Sequence, residues 1–372
     1  MKHAISIYIL VIGLCLQNPV GVRAATTDEA FRIPSAHHIF SFPHDYGSHP
    51  EFRIEWWYLT GQFAAPAGDR YGFQATFFRY AFQPGAGAGS DAFGTNHLFM
   101  AHMALTDETR ERFVHEERFN RDGWDAFAAV GDLDLRNGNW TLRRTEDETM
   151  ELSASIGVDT RMNLTFTPAK SKVFFGENGL SKKGADASAC SWYITYPRLI
   201  TEGQLGLDGK TIDVSGEAWM DHEISSSQLS RDQVGWDWLS VRFEDQSELM
   251  LYILRDAAGR PDPFSTLAWV TKEGDVHQSG PENFSWEVLD TWTSPETGAT
   301  YPVHVKLSGR RPDGSPFMIT VRPWMEAQEL HGKLGGISYW EGACDILENG
   351  RVTGKAYMEL TGYANDLGAA LQ

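Results

Sequence analysis

The chain has 372 residues, 42% hydrophobic and 22% charged, which is typical of a globular protein and sufficient for two domains of ~150 residues. Its formal net charge of −18 disfavours binding to nucleic acid or to anionic lipid. Neither is therefore expected as a partner.

The start of the chain has the features of a secretory signal peptide. Lys2 supplies a positive charge, and residues 4–16 are almost wholly apolar but too short to span a bilayer as a helix. We expect residues 1–24 to be removed by cleavage after Ala24, and a lipid anchor on Cys15 is the alternative. No later stretch has the ~18 uninterrupted apolar residues of a membrane span. The mature chain is predicted to be exported, periplasmic or secreted, without a transmembrane segment.

Residues 55–63 (EWWYLTGQF) place two tryptophans and a tyrosine behind a glutamate. Because side chains alternate along a strand, Glu55 and Trp57 would share one face, and Trp56 and Tyr58 the other. Aromatic bulk on both faces is typical of a barrel wall that is packed outside and lines a cavity inside. The pattern predicts a barrel with an aromatic-lined interior.

Alternation with a period of two dominates the rest of the chain. The further predicted strands include residues 71–80, 97–105, 150–156, 162–167, 211–220, 235–243, 248–255, 303–308, 317–322 and 351–361. The predicted turns are Asn137-Gly138, Asp208-Gly209, Pro312-Asp313-Gly314 and Asn349-Gly350. One short helix is predicted over residues 122–130. So many short strands indicate an all-β fold, and the length favours two antiparallel barrels over one.

Residues 216–223 (GEAWMDHE) form the most informative motif. One face of this predicted strand carries three carboxylates and an indole, from Glu217, Trp219, Asp221 and Glu223. If these acids face a cavity, repulsion and burial raise at least one pKa, which gives a proton donor near neutral pH. A solvated strand end is the alternative. A metal site is disfavoured because His222 points away from its two acidic neighbours, and no metal or other cofactor is predicted.

A second aromatic strand follows a polar break at residues 225–232. In residues 235–242 (GWDWLSVR), Trp236 and Trp238 share a face. Core packing is the alternative role for each tryptophan. We place a domain boundary at the break. The predicted domains are an N-terminal one at 35–226 and a C-terminal one at 227–372.

Two cysteines, Cys190 and Cys344, remain after removal of the signal peptide. An oxidising compartment permits a disulfide between them. Two buried thiols are the interpretation we favour.

Several motifs in order resemble the family of hydroxyneurosporene synthase (carotenoid 1,2-hydratase) and the AttH-like proteins. The resemblance covers about residues 40 to 365. The motifs that carry it are PHDYGSHP (43–50), EWWY (55–58), YGFQATFFR (71–79), GEAWMDHE (216–223), GWDW (235–238), ELMLY (248–252), YWEG (339–342) and ELTGY (359–363).

The resemblance implies two lipocalin-like barrels in one chain. The family includes enzymes that add water to a carotenoid double bond, secreted proteins described as hydrolases, and AttH-type partners of ABC transport systems. An export signal disfavours a carotenoid substrate. We therefore predict an exported lipocalin-like protein with a cavity for an apolar small molecule. Catalysis within the same scaffold, as a hydratase-type enzyme or a hydrolase, is the second interpretation. The alternative is a non-catalytic accessory protein of an ABC transporter permease.

A hydratase would use an acid to protonate the alkene, an indole face to stabilise the cation, and a bound water to complete the addition. The predicted catalytic residues are Glu217, Asp221, His222 and Glu223. The predicted ligand-binding residues are Trp56, Trp57, Tyr58, Arg79, Trp219, Trp236 and Trp238.

Overall fold

The chain folds almost entirely into antiparallel strands. The computed structural model describes residues 30–85, 96–123, 125–145, 147–332, 334 and 336–365, so the predicted signal peptide at 1–24 lies outside the described residues. The strands are β1 (Ile54–Ala64), β2 (Arg70–Ala81), β3 (His97–Asp107), β4 (Arg112–Arg121), β5 (Ala126–Ala128), β6 (Asp134–Asn137), β7 (Trp140–Arg144), β8 (Met150–Ile156), β9 (Thr160–Pro168), β10 (Val173–Phe174), β11 (Leu180–Lys182), β12 (Cys190–Leu207), β13 (Lys210–Ser227), β14 (Gln233–Phe243), β15 (Glu248–Asp256), β16 (Thr266–Val270), β17 (Val276–Ser279), β18 (Phe284–Thr293), β19 (Thr300–Arg310), β20 (Pro316–Pro323), β21 (Glu329–His331), β22 (Ser338–Glu348) and β23 (Arg351–Leu360). Two 3-10 turns, His44–Tyr46 and Pro281–Asn283, are the only helical segments that the described residues contain.

Two large sheets organise these strands. The first has 13 strands in the order β4-β3-β2-β1-β13-β12-β9-β8-β7-β6-β5, with β10 and β11 also paired to β12. The second has 10 strands in the order β17-β16-β15-β14-β23-β22-β20-β19-β18, with β21 paired to β22. The first sheet curls into a nearly closed barrel. The predicted all-β fold of two antiparallel barrels is confirmed.

The chain passes from one sheet to the other between Ser227 and Gln233. This passage lies next to the predicted boundary between residues 226 and 227. The division into two domains stays a prediction, because the chain from Phe31 onward groups as one compact unit.

Predicted hairpin turns account for two of the tightest connections. Asp208-Gly209 joins β12 to β13 with φ of 51° and 77°, and Asn349-Gly350 joins β22 to β23 with φ of 50° and 79°. Positive φ at both central residues matches the right-handed twist of the flanking strands. Both turns are confirmed.

The predicted helix over 122–130 is wrong. Ala126–Ala128 forms strand β5, paired with β6 at the edge of the first sheet. A helix of nine residues is marginal by itself, whereas pairing with an existing sheet edge satisfies the backbone of this segment.

Three apolar clusters explain why strands such as β1 are aromatic on both faces. Trp57 and Leu59 belong to the core inside the first barrel. Leu239 belongs to the core enclosed by the second sheet. Tyr58 and Trp238 belong to a third cluster, in which the outer faces of the two sheets meet. The predicted location of the aromatic- and acid-lined cavity, inside a barrel, is therefore wrong, because those side chains line a pocket where the two sheets meet.

Within the described residues, no helix has the length and apolarity needed to cross a membrane. Cys190 and Cys344 are both buried and both free thiols. Of the two alternatives for these cysteines, the structure supports buried thiols.

Candidate functional site

A pocket that contains most of the predicted site residues lies where the two sheets meet. It holds about 670 Å³ of space between atoms, its open mouth included. Strands β1, β2, β12 and β13 contribute from the first sheet, and β14, β15, β22 and β23 from the second. Its aromatic lining comprises Trp56, Tyr58, Phe78, Tyr193, Trp236, Trp238, Tyr252 and Tyr339. Three carboxylates also line it, from Asp221, Glu223 and Glu359.

Asp221 is the most constrained of these acids. Its side chain accepts hydrogen bonds from the Tyr193 hydroxyl at 2.7 Å, the Thr195 hydroxyl at 2.5 Å and the Trp219 indole N–H at 2.8 Å. Burial outweighs these three donors and raises the pKa of Asp221 from 3.8 to about 7, with a contribution from the nearby charge of Glu223. Both protonation states of Asp221 are therefore populated near neutral pH.

Glu223 lies two residues along the same face of β13 and has a cationic partner. The Lys183 ammonium is 3.2 Å from Glu223 Oε2, and the Ser191 hydroxyl donates to the same oxygen. Burial alone would lower the pKa of Lys183, but the charges of Glu223 and its neighbours raise it. The pocket thus contains the Lys183–Glu223 ion pair next to Asp221.

Two further acids on the second sheet complete the acidic wall. Glu359 accepts a hydrogen bond from the Trp236 indole at 3.0 Å, and burial raises its pKa to about 7. Glu341 faces Glu359 directly across β22 and β23 and accepts from the Tyr58 hydroxyl. Burial and the charge of Glu359 hold the pKa of Glu341 well above its ordinary value.

The structure places the predicted residues at four locations. Asp221, Glu223, Trp56, Tyr58, Trp236 and Trp238 line the pocket. Trp219 lies behind Asp221 and is fully buried. Glu217 lies outside the pocket lining and pairs with Arg198 at 2.7 Å. His222, Trp57 and Arg79 belong to a different cluster on the opposite face of β1 and β13.

That second cluster is a buried network of charges centred on Glu55. Arg79 Nε donates to Glu55 Oε2 at 3.0 Å, while the His49 and His222 rings lie 2.9 and 3.0 Å from Oε1. Burial alone would raise the pKa of Glu55. The charge of Arg79, which has the largest lowering effect, and the two histidines instead hold this pKa well below its ordinary value. Trp57 stacks on His222 with ring centroids 4.6 Å apart. None of these residues is among those that line the pocket.

Sequence reasoning missed Glu359 and Lys183 in the pocket lining, and Glu341 next to Glu359. Glu341 and Glu359 each follow a tyrosine by two positions, as Tyr339-x-Glu341 and Tyr357-x-Glu359. This is the same alternation of aromatic and acid that identified β13, so a signal was present in residues 338–360. Lys183 directly follows the three-residue strand β11. Nothing in its local sequence indicates that its side chain reaches Glu223.

The fold and the site together define a two-barrel β protein with an aromatic, acid-lined pocket between its sheets. The chain belongs to the AttH-like family, whose sequence profile matches residues 33–363. A comparison with curated protein sequences gives no significant match.

Solved structures show the same fold. An AttH protein from Nitrosomonas europaea is 33% identical, with a TM-score of 0.81 over 90% of this chain and 100% of that one. Kievitone hydratase from Nectria haematococca is 16% identical, with a TM-score of 0.65 over 90% of this chain and 94% of that one. CghA bound to Sch210972 is 12% identical, with a TM-score of 0.52 over 84% and 89%. The last two similarities are evidence for the lipocalin-like fold alone.

Proposed function

We propose that this protein adds water to a carbon–carbon double bond of an apolar ligand held in the pocket between the sheets. The observation that carries the proposal is Asp221, a buried carboxyl group with a pKa of about 7 that faces aromatic walls. Hydration of an alkene requires a positioned acid that is protonated at the working pH. The structural likeness to kievitone hydratase is compatible with this chemistry.

In the proposed reaction, the protonated Asp221 carboxyl gives its proton to one alkene carbon. The π electron pair forms the new C–H bond, and the second carbon becomes a cation. Indole faces such as Trp238 stabilise that cation by roughly 2 kcal/mol when water is excluded. A water molecule then forms the C–O bond and releases one proton.

Glu223 is placed to receive that proton. It lies on the same face of β13 as Asp221, two residues or ~7 Å further along the strand, and both side chains line the pocket. The proton later returns to Asp221 through solvent, so the cycle consumes only water and alkene. His222 has no part in the proposed step, since its side chain points into the Glu55 network.

Substitution of Asp221 by asparagine tests the proposal. The purified protein would be incubated with lycopene and, separately, with an unsaturated fatty acid, as two apolar probes that carry alkenes, in water labelled with heavy oxygen. Hydrated product would be measured by mass spectrometry. We expect Asp221→Asn to lower turnover by roughly 100-fold or more, the usual contribution of a general acid. Quenching of tryptophan fluorescence by the ligand should persist.

Glu217→Gln provides the matched control. Glu217 lies on the same strand and the same face as Asp221 but pairs with Arg198 outside the pocket. Turnover by this variant should equal that of the wild type. Equal turnover by Asp221→Asn and wild type would refute the assignment of the acid.

A second candidate function is ligand binding without catalysis, as an accessory protein of an AttH-type ABC transport system. Membership of the AttH-like family favours it. In that case the wild type binds the apolar probe and forms no labelled product, and Asp221→Asn changes neither result. Co-purification with an ABC permease would support this function directly.

Export is part of both proposals. Cleavage after Ala24 would leave Ala25 as the first residue of the mature protein. Intact-mass measurement of the native protein, together with fractionation of the cells, tests this expectation.

A further inference from the structure

Three histidine side chains converge on a single carboxylate in the segment that precedes β1. Asp45 Oδ1 lies 3.2 Å from His44 Nδ1 and 3.0 Å from His49 Nε2, and Asp45 Oδ2 lies 3.1 Å from His38 Nε2. The nearest ligand-type atoms of His44, Asp45 and His49 all lie within 4.8 Å of one another. Two imidazole nitrogens and one carboxylate oxygen therefore surround one point.

This donor set and its spacing suit a transition-metal ion. Imidazole and carboxylate are ordinary ligands of zinc and copper, with bonds of ~2.0–2.2 Å. Ligand atoms around a tetrahedral ion at such distances lie roughly 3.3 Å from each other. The observed 3.0 and 3.2 Å separations are close to this value, so small side-chain shifts would accommodate an ion.

The groups behind the ligands fix the orientation of His49. Its other ring nitrogen, Nδ1, lies 2.9 Å from Glu55 Oε1. Glu55 is itself held by Arg79 at 3.0 Å and by the Ser48 hydroxyl at 3.1 Å. A carboxylate that orients a metal-binding histidine from behind in this way is a recurrent feature of protein metal centres.

An entry route from solvent is present. A surface groove is lined by His38, His44, Asp45 and His49, and the His44 side chain is 56% exposed. A second triad, His49–Glu55–His222, is less suitable, because Arg79 already neutralises Glu55 and all three residues are buried.

We propose that His44, Asp45 and His49 bind a divalent transition-metal ion, with a fourth position open to water or to His38. The site is separate from the pocket between the sheets. It does not depend on the proposed hydration, because His44, Asp45 and His49 take no part in that reaction.

Zinc titration by calorimetry tests the site. The wild type should bind one zinc ion, and His44→Gln should weaken this binding by at least roughly tenfold, since loss of even a group behind a ligand costs that much. His44 is exposed, so the substitution should leave the fold intact. His37→Gln is the matched control, because His37 is exposed in the same groove but makes no hydrogen bond to Asp45. Its affinity for zinc should stay within twofold of the wild type.

Thermal unfolding supplies a second readout. Zinc that binds only the folded protein raises its melting temperature, so wild type and His37→Gln should be stabilised and His44→Gln should not. Absence of zinc binding to the wild type would overturn the proposal. Equal binding by all three proteins would also overturn it, because the zinc would then occupy other surface groups.

Discussion

Asp221→Asn should remove a pH dependence of stability that the wild type carries. Burial raises the pKa of Asp221 from 3.8 to about 7 in the folded protein. The folded state therefore holds a proton that the unfolded state releases between these two values. Since stability falls with rising pH wherever the folded state binds more protons, Asp221 stabilises the fold fully below about pH 4 and progressively less up to about pH 7.

The size of the effect follows from the two pKa values. The full shift corresponds to roughly 4 kcal/mol, at about 1.4 kcal/mol for each pH unit. Between about pH 5 and pH 8 the wild type should lose about 3 kcal/mol of this, because part is already lost at pH 5. Asparagine resembles the protonated carboxyl group and does not titrate. The stability of Asp221→Asn relative to the wild type should therefore increase by about 3 kcal/mol over this interval.

Urea unfolding of both proteins at the two pH values, followed by circular dichroism, measures this difference. Other titrating groups are common to both proteins and largely cancel, although Glu359 is close enough to couple with Asp221. Measuring the same stability difference in a protein that also carries Glu359→Gln isolates that coupling. A stability difference that is the same at both pH values would refute the raised pKa, and with it the basis for assigning Asp221 as the acid.

Three further predictions concern other parts of the fold. Glu55→Gln should destabilise the protein by roughly 3–5 kcal/mol in urea unfolding, because it leaves the buried Arg79 guanidinium without its counter-charge. Cys190 and Cys344 should resist a thiol reagent in the native protein and react after unfolding, because burial raises both thiol pKa values, that of Cys190 to about 11. Gly216→Ala should lower the melting temperature, because the added methyl group would meet a backbone oxygen of β1 at 2.1 Å. Gly206→Ala should lower it less, because its nearest neighbour would be the Arg161 side chain at 3.2 Å.

Much of the fold was predictable because the relevant signals are local. Alternation along residues 216–223 indicated which side chains of β13 share a face, and the structure has Asp221 and Glu223 together in the pocket. Asn349-Gly350 indicated its hairpin because few other dipeptides adopt positive φ at two successive positions. Both signals depend on residues within a few positions of each other.

The location of the pocket was not predictable in the same way. Alternation shows that Asp221 and Trp219 face away from Met220, but it does not show which face points into the barrel. That depends on how two sheets pack, which pairs Tyr58 with Glu341 across 283 sequence positions. No pattern within one strand contains this information, so the sequence predicted the cavity inside a barrel, whereas the structure has it between the sheets.

The two faces of β13 place charged groups in different electrostatic surroundings. His222 points into a network in which Glu55 is paired with the cation of Arg79. Asp221, on the other face, is buried with neutral donors only, and like charges from Glu223 and Glu359 lie near it. An apolar residue at this position would pack between the sheets without the desolvation cost that the carboxyl group carries. A buried acid that costs stability, lines a pocket and has aromatic walls opposite it is what the proposed proton transfer to an apolar ligand requires.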